Sequence, residues 1–253
     1  MEKYAPYIKN SLCEKKFFAA VLAAVTLAGA AVFNDLLEVS KAEELLEYGY
    51  HGTLVLKACS GSVYRIALPV ICMLPCSFSC VDEVKSGFIK EYLPRTGYKN
   101  YIVGKILACI LSGGLVPVCG AWIFYGASAL ALTPLEAALA EGQTAEDSLT
   151  KLTVLCGLLF LNGALWALAG MAAGMMGGNR YMACAAPFII YYMLVILCER
   201  YLPRIYVLYP AVWLNPAEKW PFKEAGLAIW LTELVIFSAL LFARSAERRL
   251  GNL

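Results

Sequence analysis

The sequence predicts an all-α polytopic membrane protein, a single transmembrane domain over residues 1–253. Three observations predict it. Of the 253 residues, 60% are hydrophobic and 16% charged, and mean hydropathy is +0.65, far too apolar for a soluble domain of this size. The apolar residues gather in six runs, at 17–33, 63–80, 101–132, 152–176, 182–198 and 225–243, of the length a helix needs to cross hydrocarbon. The charges between the runs alternate in sign bias. No polar block of about a hundred residues is left for a soluble catalytic domain, so an enzyme or energy source belongs to another chain.

In chain order, residues 1–16 combine Tyr4, Tyr7, Ile8 and Leu12 with Lys3, Lys9, Lys15 and Lys16, which suits a helix lying in the headgroup region or a basic tail. Nothing there reads as a signal peptide. The first span is rich in alanine and predicts close helix packing. The following segment, to Ser62, holds a helix-forming stretch at Lys41 to Tyr48 and His51, the single histidine, which reads as a surface residue. Arg65 opens the second span, where its guanidinium would reach headgroups. Pro69 and Pro75 predict that this span is bent.

The polar stretch 81–100 cannot lie in hydrocarbon. Val81, Val84, Phe88, Ile89 and Tyr92 recur at helical spacing among Asp82, Lys85, Lys90 and Glu91, which predicts one amphipathic helix ending at Leu93-Pro94. The third run holds Gly113-Gly114 and Pro117, so a kinked helix longer than the bilayer is expected. Thr133-Pro134 and the acidic Glu136 to Asp147 form the next loop. Gly163, Ala167, Gly170, Gly174 and Gly178 make a small-residue ladder that permits close approach within the chain or across a dimer. The turn MGGNRY makes the fourth and fifth helices antiparallel neighbours. Between Glu199 and Glu224, four prolines among aromatics predict short interfacial or re-entrant pieces. Glu233 is a carboxylate well inside the last run, which makes it either a functional acid or a structural hydrogen-bonding group.

Lys and Arg concentrate near the N-terminus, in 81–100, at Arg180 and after Arg244, while acids concentrate in the other segments. The basic bias predicts both termini and the 81–100 loop on the cytoplasmic side of the plasma (bacterial cytoplasmic) membrane. Ten cysteines lie mostly within apolar runs and read as packing residues; Cys72, Cys76 and Cys80 share a helical face without a histidine, so no metal site is expected. Catalytic motifs are absent. Gly104-Lys105 looks like the end of a phosphate loop, but Lys99 and Ile106 stand where Gly and Ser or Thr belong.

Six spans with both ends inside, a basic N-terminal segment, a helical first cytoplasmic loop and a broken aromatic segment before the last span together resemble the permease subunits of type-2 ATP-binding-cassette exporters. The local resemblance lies in Asp82-Glu83, Gly87, Leu93-Pro94-Arg95 and YIVGK at Tyr101 to Lys105. It implies a separate ATPase polypeptide of the bacterial type, which would carry the ATP and Mg, with no cofactor on this chain. It also implies a second permease subunit, identical or related. The 81–92 helix would be the coupling helix, with Phe88 as apolar anchor and Glu83, Lys85 and Arg95 as polar contacts; the other reading is a helix resting on headgroups. An apolar interior would suit a lipid, peptide or hydrophobic drug as substrate, and the resemblance implies its export. Membrane lipids are expected partners and nucleic acid is not. From another class of function stands an autonomous ion-coupled carrier or intramembrane enzyme centred on Glu233.

Overall fold

The structure, a computed structural model, describes residues 4–41, 46–137, 146–202, 204–214, 220 and 222–250. Among these, regular structure is helical throughout, apart from an isolated bridge between Leu46 and Glu136. The helices are α1 (Ala5–Cys13), α2 (Lys15–Ala31), α3 (Phe33–Lys41), α4 (Tyr50–Ser60), α5 (Ser62–Met73), α6 (Ser79–Lys85), α7 (Phe88–Thr96), α8 (Tyr98–Leu132), α9 (Glu146–Gly177), α10 (Arg180–Ile196) and α11 (Lys223–Leu250). The four helices α8 to α11 are long and apolar enough to cross a membrane. Two further pairs qualify only together: α2 with α3, bent by 57°, and α4 with α5, bent by 65°. The protein is therefore membrane-embedded, with four to six spans.

Helix α9 is the hub, in contact with α4, α5, α6, α8, α10 and α11. Its small residues explain how so many neighbours reach it. A Cβ on Gly163 would strike the Gly113 backbone of α8, and one on Gly114 would meet the Phe160 ring at 2.6 Å. Two and three turns on, Gly170 and Gly174 lie against Ala183 of α10, and Gly174 also faces Val81 of α6. The ladder thus serves contacts inside the chain. Ser77 seals this region by donating to the Ala167 carbonyl at 2.9 Å. Tyr64, Leu168, Met171, Trp213, Leu227 and Phe242 are fully buried around the hub.

Several elements differ from the sequence reading. The second apolar run is not one helix over 63–80. The chain enters the bundle at α4, which buries Leu54, Val55, Ala58 and Cys59, turns at Gly61, and continues as α5. Pro75 has no N–H for the Ile71 carbonyl, so α5 ends at Met73 and turns fill 74–78. The α4 segment escaped detection because Lys57 interrupts it; that lysine points outward and pairs with Asp35 at 2.7 Å. The third run does form one helix, and its 35 residues extend over about 52 Å, well beyond the hydrocarbon thickness.

At the far end, α10 runs into a π-helical turn at Leu197–Tyr201. Two 3₁₀ turns follow, Tyr206–Leu208 and Pro210–Val212. Trp213 folds this broken segment onto the bundle: its indole donates to the Val207 carbonyl at 3.0 Å and stacks on Trp166. Arg65 does not simply reach outward. Its guanidinium donates to the Ala211 carbonyl, pinning the segment to α5. Of the sequence-based expectations, those for residues 42–45 in the Lys41 to Tyr48 stretch, for 138–145 in the acidic loop, and for Pro203, Pro216 and Pro221 lie outside the described residues.

Candidate functional site

The stretch expected to be one amphipathic helix is two. Lys85 ends α6, Gly87 takes φ +77°, a conformation glycine adopts without a Cβ penalty, and Phe88 opens α7. Pro94 lies inside α7, which runs on to Thr96 and stops at Gly97 with φ +79°. A proline near a helix end forfeits little, because Ile89 remains buried and Leu93 half-buried as anchors.

The acid pair Asp82-Glu83 fixes α6 to two different helices. Adjacent residues project about 100° apart around a helix, so one acid faces α8 and the other α10. Lys105 of α8 donates to Glu83 Oε1 at 2.5 Å and to Ser79 Oγ at 3.2 Å. The Tyr101 hydroxyl donates to Glu83 Oε2 at 2.6 Å. Asp82 forms an ion pair with Arg180 at the first residue of α10. The Lys105 side chain is only 9% exposed, and a buried ammonium of this kind demands a charged partner. Tyr7 of α1 closes over this point, its ring against Gly104, where a Cβ would collide. Beside the ion pair lies an open cavity of about 520 Å³ lined by Asn10, Ser11, Glu14, Asp82, Glu83 and Lys105.

The predicted contact residues therefore divide. Glu83 is partly buried and accepts from both Lys105 and Tyr101. Lys85 is exposed, and Phe88 is 51% exposed at the corner between α6 and α7. Arg95 belongs to α7, and its side chain lies outside the described residues. Sequence reasoning missed Lys105, Tyr101 and Arg180 as partners of this loop. For Tyr101 and Lys105 the signal was present as two i, i+4 pairs, Ser79 with Glu83 on α6 and Tyr101 with Lys105 on α8.

Glu233 is not gathered into any cluster. It sits on the outward face of α11, with Ile229, Ile236, Phe237 and Leu240 exposed around it, and it makes no hydrogen bond or ion pair with a described residue. His51, expected at the surface, is instead drawn in at the opposite end of α8. Its Nδ1 lies 2.8 Å from a Glu136 carboxylate oxygen and its Nε2 3.3 Å from the Tyr125 hydroxyl. Burial opposes charge on Glu136 but is outweighed by the His51 backbone and ring donors and the Gly49 N–H, which hold the carboxyl below its ordinary value. Among the described residues no His, Cys, Asp and Glu group could hold a metal ion.

The architecture is that of a helical membrane protein in which a polar site ties a two-helix loop to the bundle. No known family model matches the chain, and no curated protein is detectably similar to it.

Proposed function

We propose that this chain is the membrane-spanning permease subunit of an ATP-binding-cassette transporter of the type-2 exporter kind, energised by a separate cytoplasmic ATPase. In this reading each bent pair is one span, giving six, and the basic bias puts both termini and α6–α7 in the cytoplasm. Two permease subunits, identical or related, sit on the ATPase pair and move a lipid, peptide or hydrophobic drug outward across the plasma membrane. Hydrolysis belongs to the partner, and this chain carries no catalytic residue.

The observation that carries the reading is the α6–α7 corner. A half-exposed phenylalanine opens α7 directly after the Gly87 break, an exposed lysine ends α6, and α6 is bound by ion pairs to α8 and α10. A helix merely resting on headgroups needs an apolar face and basic residues; it does not need rigid ties to two spans. A docking element does, because displacement of α6 must become displacement of the spans. Phe88 is the apolar anchor, Lys85 and Arg95 are polar contacts with the ATPase, and Glu83 transmits force to Lys105. The outward, unclustered position of Glu233 gives little support to a self-contained carrier, which needs polar groups converging on a central path.

The test is copurification from the native cell in mild detergent. The reading expects an ATP-binding-cassette ATPase with the wild type and its loss with Phe88→Asp, while the variant keeps its monodispersity. Recovery of the wild type without any such ATPase, under conditions that preserve known transporter complexes, contradicts it.

A further inference from the structure

We infer that the α9–α11 side of the bundle holds a built site for one anionic phospholipid, with its phosphate on Arg244 and Arg248 and an acyl chain in a groove between α10 and α11. The inference does not rest on the transporter reading. Two cavities that share Met176 and Leu241 run end to end here. The first, about 630 Å³ and open, is lined by Arg244, Arg248, Arg249, Ser245 and the Gly177 turn, with no carboxylate among its described lining residues. The second, about 250 Å³, is walled almost wholly by apolar side chains, among them Trp166, Ala169 and Ala173 of α9, Leu194 of α10 and Phe237 of α11.

Geometry explains why the two cavities line up. Phe237, Leu241, Arg244 and Arg248 are spaced by four, three and four residues, so they form one stripe along α11. The stripe changes from apolar to cationic where the apolar run ends. Arg249 is already occupied, donating to the Met175 carbonyl at 2.7 Å at the end of α9, which is the favourable place for a cation on a helix. Arg244 and Arg248 are exposed and form no ion pair with a described residue, so two guanidiniums line the opening with no counter-charge among the described residues. A phosphate diester is the anion for which planar guanidinium donors are suited.

The length of the groove selects the occupant. Along α9 it extends from Leu165 to Met176, eleven residues or about 17 Å. That is close to half of the roughly 30 Å hydrocarbon core, the depth of one leaflet. The alanines of the floor leave room for a chain of methylenes beneath the two walls. A soluble phosphate ligand would have no use for this groove, and a zwitterionic lipid would bring a cation of its own against the arginines.

The probes are dioleoyl phosphatidylglycerol and dioleoyl phosphatidylcholine, added to the delipidated full-length protein and followed by native mass spectrometry and by melting temperature. The glycerol lipid is expected to bind the wild type with at least about tenfold preference. Arg244→Gln with Arg248→Gln should abolish the preference. Ala173→Phe, at a half-exposed position, should block the groove and weaken both lipids. Lys9→Gln with Lys15→Gln removes the same charge from the basic N-terminal segment and should change nothing. Equal binding of the two lipids overturns the inference, as does equal loss in the lysine pair. So does unaltered binding by Ala173→Phe, which would leave a phosphate contact without a chain site. Arg248→Gln alone keeps the test open should the double variant not fold, since its side chain is exposed and its loss still removes half of the free cation pair.

Discussion

Lys105 illustrates how a single side chain sets the terms for its surroundings. Its ammonium is buried among α1, α6 and α8 and is neutralised by Glu83. Such a pair contributes little net stability, because desolvation offsets the attraction, yet removing one partner strands the other. Glu83→Ala should therefore lower stability by about 3–5 kcal/mol, read from unfolding in detergent. Glu83→Leu combined with Lys105→Leu should recover most of that loss; a double variant as unstable as the single would show that the pair is not the unit. Glu136 gives a pH prediction. Its folded-state pKa is depressed by the His51 and Gly49 donors, so its contribution is complete above the ordinary glutamate value of about 4.3 and is lost as pH falls through the depressed value. Glu136→Gln should flatten the acid limb of the melting-temperature profile and leave the neutral region little changed in shape.

At the scale of elements, the conspicuous apolar runs were legible because length and hydropathy alone demand helices there. Runs 101–132 and 152–176 fall within α8 and α9, and the small residues of α9 predicted close packing. What the pattern could not carry was the breaks. Gly61 and Gly87 punctuate the chain through backbone geometry, and Lys57 hid α4 because a snorkelling or outward lysine looks like the end of a span. Pro94 has the sequence character of a stop, yet it lies within the last turn of α7, which ends at Thr96. His51 looked like a surface residue because its partners, Glu136 and Tyr125, are more than seventy residues away. Two substitutions test these elements. Gly114→Leu should cost about 1–3 kcal/mol through overpacking against Phe160. Gly87→Ala should cost roughly 1–2 kcal/mol, although nothing lies within 4 Å of the added methyl, because the penalty resides in the positive φ. Equal tolerance of both would mean that neither the close approach nor the α6–α7 turn is built as described.

For the whole molecule, the ties at α6 connect it to α8 and α10, and α9 packs against all three. In the proposed function, movement of α6 would reach α8 through Glu83, α10 through Asp82, and α9 through the close approach of Val81 to Gly174. The proposed orientation can be tested apart from any partner. In a Cys13→Ser background, Lys90→Cys should be protected from an impermeant maleimide in intact cells and Pro134→Cys labelled; the reverse pattern would invert the topology. The most direct test of the central proposal is site-specific cross-linking in the native membrane from a photoreactive residue placed at position 88, with position 229 on the outward face of α11 as control. Capture of a cytoplasmic ATP-binding-cassette ATPase from position 88, and not from 229, is the predicted result. Labelling of lipid alone from position 88, or the same products from both positions, would contradict α6–α7 as the docking element of a transporter.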